Sequence, residues 1–285
     1  LGAALIQKNF CGNHVDLCTI INGKSGRCGE NCKYCAQAAC HKTATVVYDF
    51  LPAEKILAAA KANEAAGVNR FSIVTSGKAL TGDDFERALD AYNLLRENLK
   101  IDLCASHGIL NAEQFRRLRA TGVKSYHHNI ETSRRFFPQI CTSHTYDDRI
   151  KTIRLAQDAG FSVCSGGIIG MGETWQDRID MALELAALGI ESIPVNALMP
   201  VKGTPLETQP LLDADEILRT IAIFRFLNPT ANIRLAAGRK LLPDFGASAF
   251  LNGASASITG NMLTTSGTTI RGDLEILARL GLTNK

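Results

Sequence analysis

Cys28, Cys32 and Cys35 stand within eight residues, in the stretch GRCGENCKYCAQ. A disulfide would pair two of them and strand the third. A closed structural zinc site takes four ligands, so three thiolates suit a metal centre with one position left open. In a four-iron cluster, three thiolates hold three irons and leave the fourth free for a bidentate ligand. Tyr34 sets an aromatic ring beside the last cysteine. A zinc knuckle completed by Cys40 or His41 satisfies the same spacing, so both readings stand at this point.

Composition narrows the setting. The 285 residues carry a formal charge of +3, with no block of Lys or Arg that would serve as a nucleic-acid footprint. No run approaches the ~18 apolar residues of a membrane span. LGAALIQKNF is too short, and too polar at its end, for a signal peptide. The expectation is a cytoplasmic chain that touches neither membrane nor nucleic acid. There, nine cysteines point to metal or redox chemistry rather than a disulfide scaffold. No carboxylate pair or Ser/His/Asp set suggests acid–base catalysis.

The elements that must position the cysteines alternate. VDLCTIIN (15–22) predicts a strand, followed by the cysteine loop. PAEKILAAAKANEAAG (52–67) predicts a helix with Pro at its start and Gly beyond its end. Strand-like runs recur at 70–76, 101–106, 123–131, 161–173, 190–199, 232–238 and, more weakly, 255–260, each followed by a helical pattern; Asn111 is a good N-cap for one of these. Some eight βα units without a break in composition predict an α/β chain forming one (β/α)8 TIM-type barrel over 1–285, with 1–14 a short N-terminal extension. Alternation alone also fits an open doubly wound sheet. In a barrel, ligands gather at the C-terminal ends of the strands, and the cysteine trio falls in the first βα loop.

The trio, with its aromatic residue, resembles the radical S-adenosylmethionine (SAM) superfamily. GRCGENCKYCAQ, YHHNIETS, VCSGGIIGMGET, SIPVNALMPVKGTPL, IRLAAGR and MLTTSG follow in the order they take in the biotin synthases, from about Asp16 onward. The resemblance implies a 4Fe-4S cluster on Cys28, Cys32 and Cys35, whose open iron binds SAM, and a 5′-deoxyadenosyl radical that activates dethiobiotin for sulfur insertion. It implies that Asn129 and Glu131 hold the SAM ribose, that Arg149 lies near the SAM carboxylate, and that Tyr34 and the backbone at Gly170 and Gly172 pack against the cofactor. It further implies that Asn129 also reaches dethiobiotin, that Asn196 binds its ureido group, and that Thr264 and Thr265 receive its carboxylate. A flavodoxin or ferredoxin as reductant, and a homodimer, follow in the same way. His127, where the family commonly has Asn, departs from the pattern; it and His128 are expected to be structural.

The sulfur donor departs more deeply. The resemblance implies a two-iron auxiliary cluster held by cysteines on the second, third and fifth strands and an arginine on the seventh. Cys104, Cys164 and Arg234 match three of these positions, but the second-strand match is Ser72, a poor iron ligand. Alternation along DLCTI turns Asp16, Cys18 and Ile20 to one face, so Cys18 could enter the barrel beside Ser72. The expected auxiliary set is Cys11, Cys18, Cys104 and Cys164, an all-cysteine, four-iron centre with a two-iron centre as the alternative, and with Arg234 facing cluster or substrate. Cys40 and Cys141 are expected to be incidental. The rival readings are a barrel enzyme like the hydrogenase maturases or methylornithine synthase, and a zinc or redox scaffold without turnover. Metal analysis of anaerobically purified chain is expected to return iron with acid-labile sulfide; zinc without sulfide would favour the scaffold.

Overall fold

The computed structural model describes residues 2–260 and 268–285. Its strands are β1 (Asp16–Lys24), β2 (Arg70–Thr75), β3 (Asp102–Ser106), β4 (Ser125–His127), β5 (Ser162–Cys164), β6 (Gly167–Ile169), β7 (Ser192–Ala197), β8 (Asn232–Leu235) and β9 (Ala256–Ile258). All pair in parallel, in the order β5-β4-β3-β2-β1-β9-β8-β7-β6. Cys164 of β5 also pairs with Ser192 of β7, which closes the sheet. β5 and β6 are two halves of one strand position, so the barrel has eight positions and the open-sheet alternative falls away.

The expected single strand over 161–173 is therefore interrupted at Ser165 and Gly166. A Cβ on Gly166 would lie 2.1 Å from the Pro194 carbonyl oxygen, and one on Gly167 would lie 2.3 Å from that of Glu131. Only glycine allows the chain to pass this close, and the pairing bends there.

The helices are α1 (Gly2–Cys11), α2 (Ala53–Ala65), α3 (Gly82–Asn98), α4 (Ala112–Ala120), α5 (Phe137–Ile140), α6 (Tyr146–Asp158), α7 (Trp175–Ala187), α8 (Ala214–Leu227), α9 (Ala247–Leu251) and α10 (Ile270–Arg279). Asn111, Thr145 and Thr174 each close a capping box with the residue three positions on, which fixes where α4, α6 and α7 begin. The N-terminal extension holds a helix, α1, which packs on α8.

Period two sorts every strand. Leu17, Phe71, Ile73, Leu103, Tyr126 and Ile193 face the helices and form the core. Cys18, Ser72, Cys104, His127, Cys164 and Arg234 face inward and line a cavity. The wall below that cavity is tied by charge. Asp16, 5% exposed, accepts from Arg70 Nε at 2.6 Å and Arg234 Nη2 at 3.0 Å. Burial raises the Asp16 pKa, but Arg234 and Arg70 outweigh it and hold the carboxyl below its ordinary range.

Asp16→Ala leaves two guanidinium groups uncompensated and is expected to cost about 3–5 kcal/mol in denaturant unfolding. Because the folded pKa of Asp16 is depressed, its contribution is present above the unfolded carboxylate pKa and is lost as pH falls through the folded one. The variant should therefore lose less stability on acidification than the parent.

Candidate active site

The first βα loop folds on itself at the mouth of the barrel. Cys28 N donates to Gln37 O at 3.1 Å, Ala39 N to Cys28 O at 2.8 Å, and Gly26 N to the Gln37 side chain at 3.0 Å. This brings Cys28, Cys32 and Cys35 to one cavity of about 180 Å³, shared with Tyr34, Asn129, Glu131 and Arg149. Burial raises the Cys35 thiol to about 11, so a metal would have to deprotonate it on binding.

Beyond β4 the chain leaves regular geometry. Glu131 takes φ +71°, a left-handed conformation rare outside glycine, while its carbonyl accepts from Ile168 N at 2.8 Å. The turn gathers three predicted residues. Arg149 Nη1 donates to Asn129 O at 2.8 Å and lies 3.3 Å from Glu131 Oε1; Asn129 Nδ2 lies 3.3 Å from Glu131 Oε2. Burial lowers the Arg149 pKa, but Glu131 and its neighbours more than offset this, and the guanidinium stays charged. A cation, a carboxylate and an amide thus face the cysteine loop.

That cavity adjoins a second one of about 400 Å³ inside the barrel, lined among others by Cys18, Ser72, Cys104, His127, Cys164, Asn196 and Arg234. Cys18 and Cys104 share a hydrogen bond, which pushes the Cys18 thiol up and pulls Cys104 down; Arg70 and Arg234 reinforce the second shift. Cys164 sits opposite His127 in the β4–β5 register and 3.4 Å from Ser192 Oγ. Burial raises its pKa, but the His127 bond and charge outweigh this and lower it. Arg234 is fully engaged: Nε to Ser192 Oγ, Nη1 to Asp16 O and Ser257 O, and Nη2 to Asp16 Oδ1. Asn196 donates to Gly167 O and accepts from Ala237 N.

Other predicted residues lie elsewhere. Cys11 ends α1 and touches Arg225, whose guanidinium binds the carbonyls of Gly253 and Ala231; it does not line the cavity, so the structure does not bring it to the auxiliary set. Gly170 and Gly172, at φ +90° and +104°, shape a turn that lines neither cavity. Glu173, whose side chain is buried, fixes that turn by accepting from Gly170 N and Met171 N, both at 2.7 Å, and pairing with Arg178 at 2.7 Å. Thr264 and Thr265 lie outside the described residues.

Two residues expected to be bystanders have partners. Cys141 Sγ is 3.7 Å from Cys32 Sγ and 3.3 Å from His144 Nδ1. His127 meets Cys164 inside the cavity, and its inward face was readable from its alternation with Ser125. His128, also buried, stacks on Tyr126 and borders the cavity of the cysteine loop. Cys40 is exposed, with its sulfur 3.5 Å from His41 Nδ1.

A closed parallel barrel with three cysteines in its first βα loop defines a radical SAM enzyme, and the Radical SAM superfamily profile matches residues 24–185. The Biotin and Thiamin Synthesis associated domain matches residues 194–283. The chain belongs to the biotin synthase family. It is 58% identical over 280 residues to the biotin synthase of Clostridium beijerinckii, covering 98% of this chain and 89% of that protein. The biotin synthase of Alkaliphilus metalliredigens is likewise 58% identical over 280 residues, covering 98% and 88%. Among solved structures, methylornithine synthase (PylB) matches with a TM-score of 0.86 at 20% identity, over 99% of this chain and 87% of that one. The FeFe-hydrogenase maturase HydG from Carboxydothermus hydrogenoformans matches at 0.80 and 16% identity, over 98% and 70%. These two share the fold; identity separates the chain from both rival activities.

Glu173→Gln removes the charge from a buried carboxylate with three donors and is expected to cost about 3 kcal/mol in chemical unfolding.

Proposed function

We propose that the chain converts dethiobiotin to biotin by radical sulfur insertion, and that its sulfur store is held by Cys18, Cys104 and Cys164. One observation carries the second part. Barrel interiors fill in layers of four side chains drawn from alternate strands. Cys18, Cys104, Cys164 and Arg234 stand on the first, third, fifth and seventh strand positions and interact with one another. They make one layer: three thiols and a cation.

The donor chemistry fits iron and sulfide in both places, since thiolates are the usual cluster ligands. When bound, the loop cluster with SAM supplies a 5′-deoxyadenosyl radical and the inner cluster supplies sulfide. Three inner thiolates and no fourth favour a four-iron centre whose free iron carries an additional sulfide. Cys11, held against Arg225, is left out of this set. Arg234 stays off the metal because Asp16, Ser192 and Ser257 occupy its donors.

The remaining roles belong to the chain. Arg149 binds the SAM carboxylate, Asn129 and Glu131 hold the ribose, and Tyr34 packs beside the cofactor. Asn196 and Asn129 take the ureido group of dethiobiotin between the two thiol sets, with Thr264 and Thr265 receiving its carboxylate. The cavity wall excludes water and holds substrate and sulfide at contact distance. A flavodoxin or ferredoxin delivers the electron.

The test combines Mössbauer spectroscopy with product analysis on anaerobically reconstituted chain. The parent should hold a second cluster and form biotin from dethiobiotin. Cys104→Ala and Cys164→Ala should lose that cluster and biotin formation while still cleaving SAM. A two-iron inner centre refutes the assigned nuclearity; one cluster with full biotin formation refutes the sulfur store.

A further inference from the structure

The loop that carries the cysteine trio meets the segment after α5, and the two place Cys32, Cys141 and His144 together. Each is more than nine-tenths buried. Their ligand atoms all lie within 4.8 Å of one another, the one such His/Cys/Asp/Glu group among the described residues. The distances have a meaning. A tetrahedral ion with metal–sulfur bonds of about 2.3 Å and metal–nitrogen bonds of about 2.05 Å spaces its ligands about 3.8 Å sulfur to sulfur and about 3.5 Å sulfur to nitrogen. Cys32 Sγ and Cys141 Sγ are 3.7 Å apart, and Cys141 Sγ is 3.3 Å from Nδ1 and 3.9 Å from Nε2 of His144.

We infer that Cys32, Cys141 and His144 bind one divalent transition-metal ion when the trio carries no cluster. The surroundings suit this. Glu30 is bonded to His144 Nδ1, which leaves Nε2 to the ion in the carboxylate–histidine–metal arrangement. Ser143 Oγ holds the same Glu30 oxygen at 2.6 Å. Arg149 now donates to Nε2 at 3.0 Å; on binding it gives up that bond and keeps Asn129 O and Glu131. Bound as thiolates, Cys32 and Cys141 neutralise the dication, while Arg149 faces Glu131 and Glu30 bonds His144. An ion whose charge its own ligands cancel avoids the penalty of an uncompensated buried ion. Three protein ligands leave a fourth position for water, which marks an exchangeable site rather than a closed structural one.

The site shares Cys32 with the cluster trio, so, given that the trio holds a cluster, the two occupancies exclude each other. Ferrous iron entering for cluster assembly and zinc competing with it offer the same chemistry.

The experiment titrates Co2+ into the full chain after anaerobic removal of iron, with circular dichroism confirming the fold. One Co2+ per chain is expected, with the visible absorption of a tetrahedral site and thiolate charge transfer. It should be lost in Cys141→Ser and His144→Ala and retained in Cys28→Ser and Cys35→Ser. Glu30→Gln should weaken it roughly 10- to 100-fold, and cluster-loaded chain should take up none. Binding that survives in both Cys141→Ser and His144→Ala, or that needs Cys28 and Cys35, or no binding by folded chain, overturns the inference. Pre-bound Zn2+ should slow cluster assembly in the parent but not in Cys141→Ser; equal slowing counts against the site. Labelled Fe2+ carried into the cluster on adding sulfide and unlabelled iron identifies iron as the occupant, and its loss to bulk identifies zinc. Biotin formation by fully loaded Cys141→Ser reads the enzymatic proposal separately.

Discussion

A parallel barrel of eight strand positions sends every second side chain into a space that water does not freely fill, and this one sends in charge. Asp16 and Arg70, which open the first and second strand positions, meet Arg234 of the seventh. An isolated buried ion would be prohibitive; one carboxylate shared by two guanidinium groups, each bonded onward to a serine, is tolerable. With that wall in place, the layer above can be thiols with nothing bulkier between them. Arg234, held on three sides, presents a fixed positive field to Cys18, Cys104 and Cys164 without freedom to swing toward a metal.

Above that layer, precision comes from backbone rather than from bulk. The bend between β5 and β6 depends on two glycines that let the chain pass the carbonyls of Pro194 and Glu131. The same bend holds Glu131 in its left-handed conformation, and Glu131 in turn organises Asn129 and Arg149. Strain at one residue is thus sustained by packing around it and spent on placing a cation beside the cysteine loop.

The loop and the barrel interior are chemically alike, each offering three thiols and a guanidinium, yet they differ in access. The inner set is walled by strands, whereas the loop set leans on residues from after α5, where Cys141 and His144 lie against Cys32. The outer thiols thus meet a cysteine and a histidine from another loop, whereas the inner ones meet only groups of the barrel strands.

Much of this was legible in the chain. The trio's spacing marked a metal centre, period two assigned inward and outward faces on each strand, and Asp16, Cys18 and Ile20 were rightly placed on one face. What local pattern carries is direction, because side-chain orientation repeats along a strand. It does not carry distance between residues far apart in sequence. Cys18 reaches Cys104 in front of β2 only because closure tilts alternate strands into one layer. Cys11, seven residues before Cys18, stays with α1 against α8 because it is the last residue of that helix and a turn separates it from β1. Cys141 meets Cys32 across 109 residues through the packing of two loops, which no periodicity encodes. Sequence decided which way each group points; tertiary packing decided which groups meet.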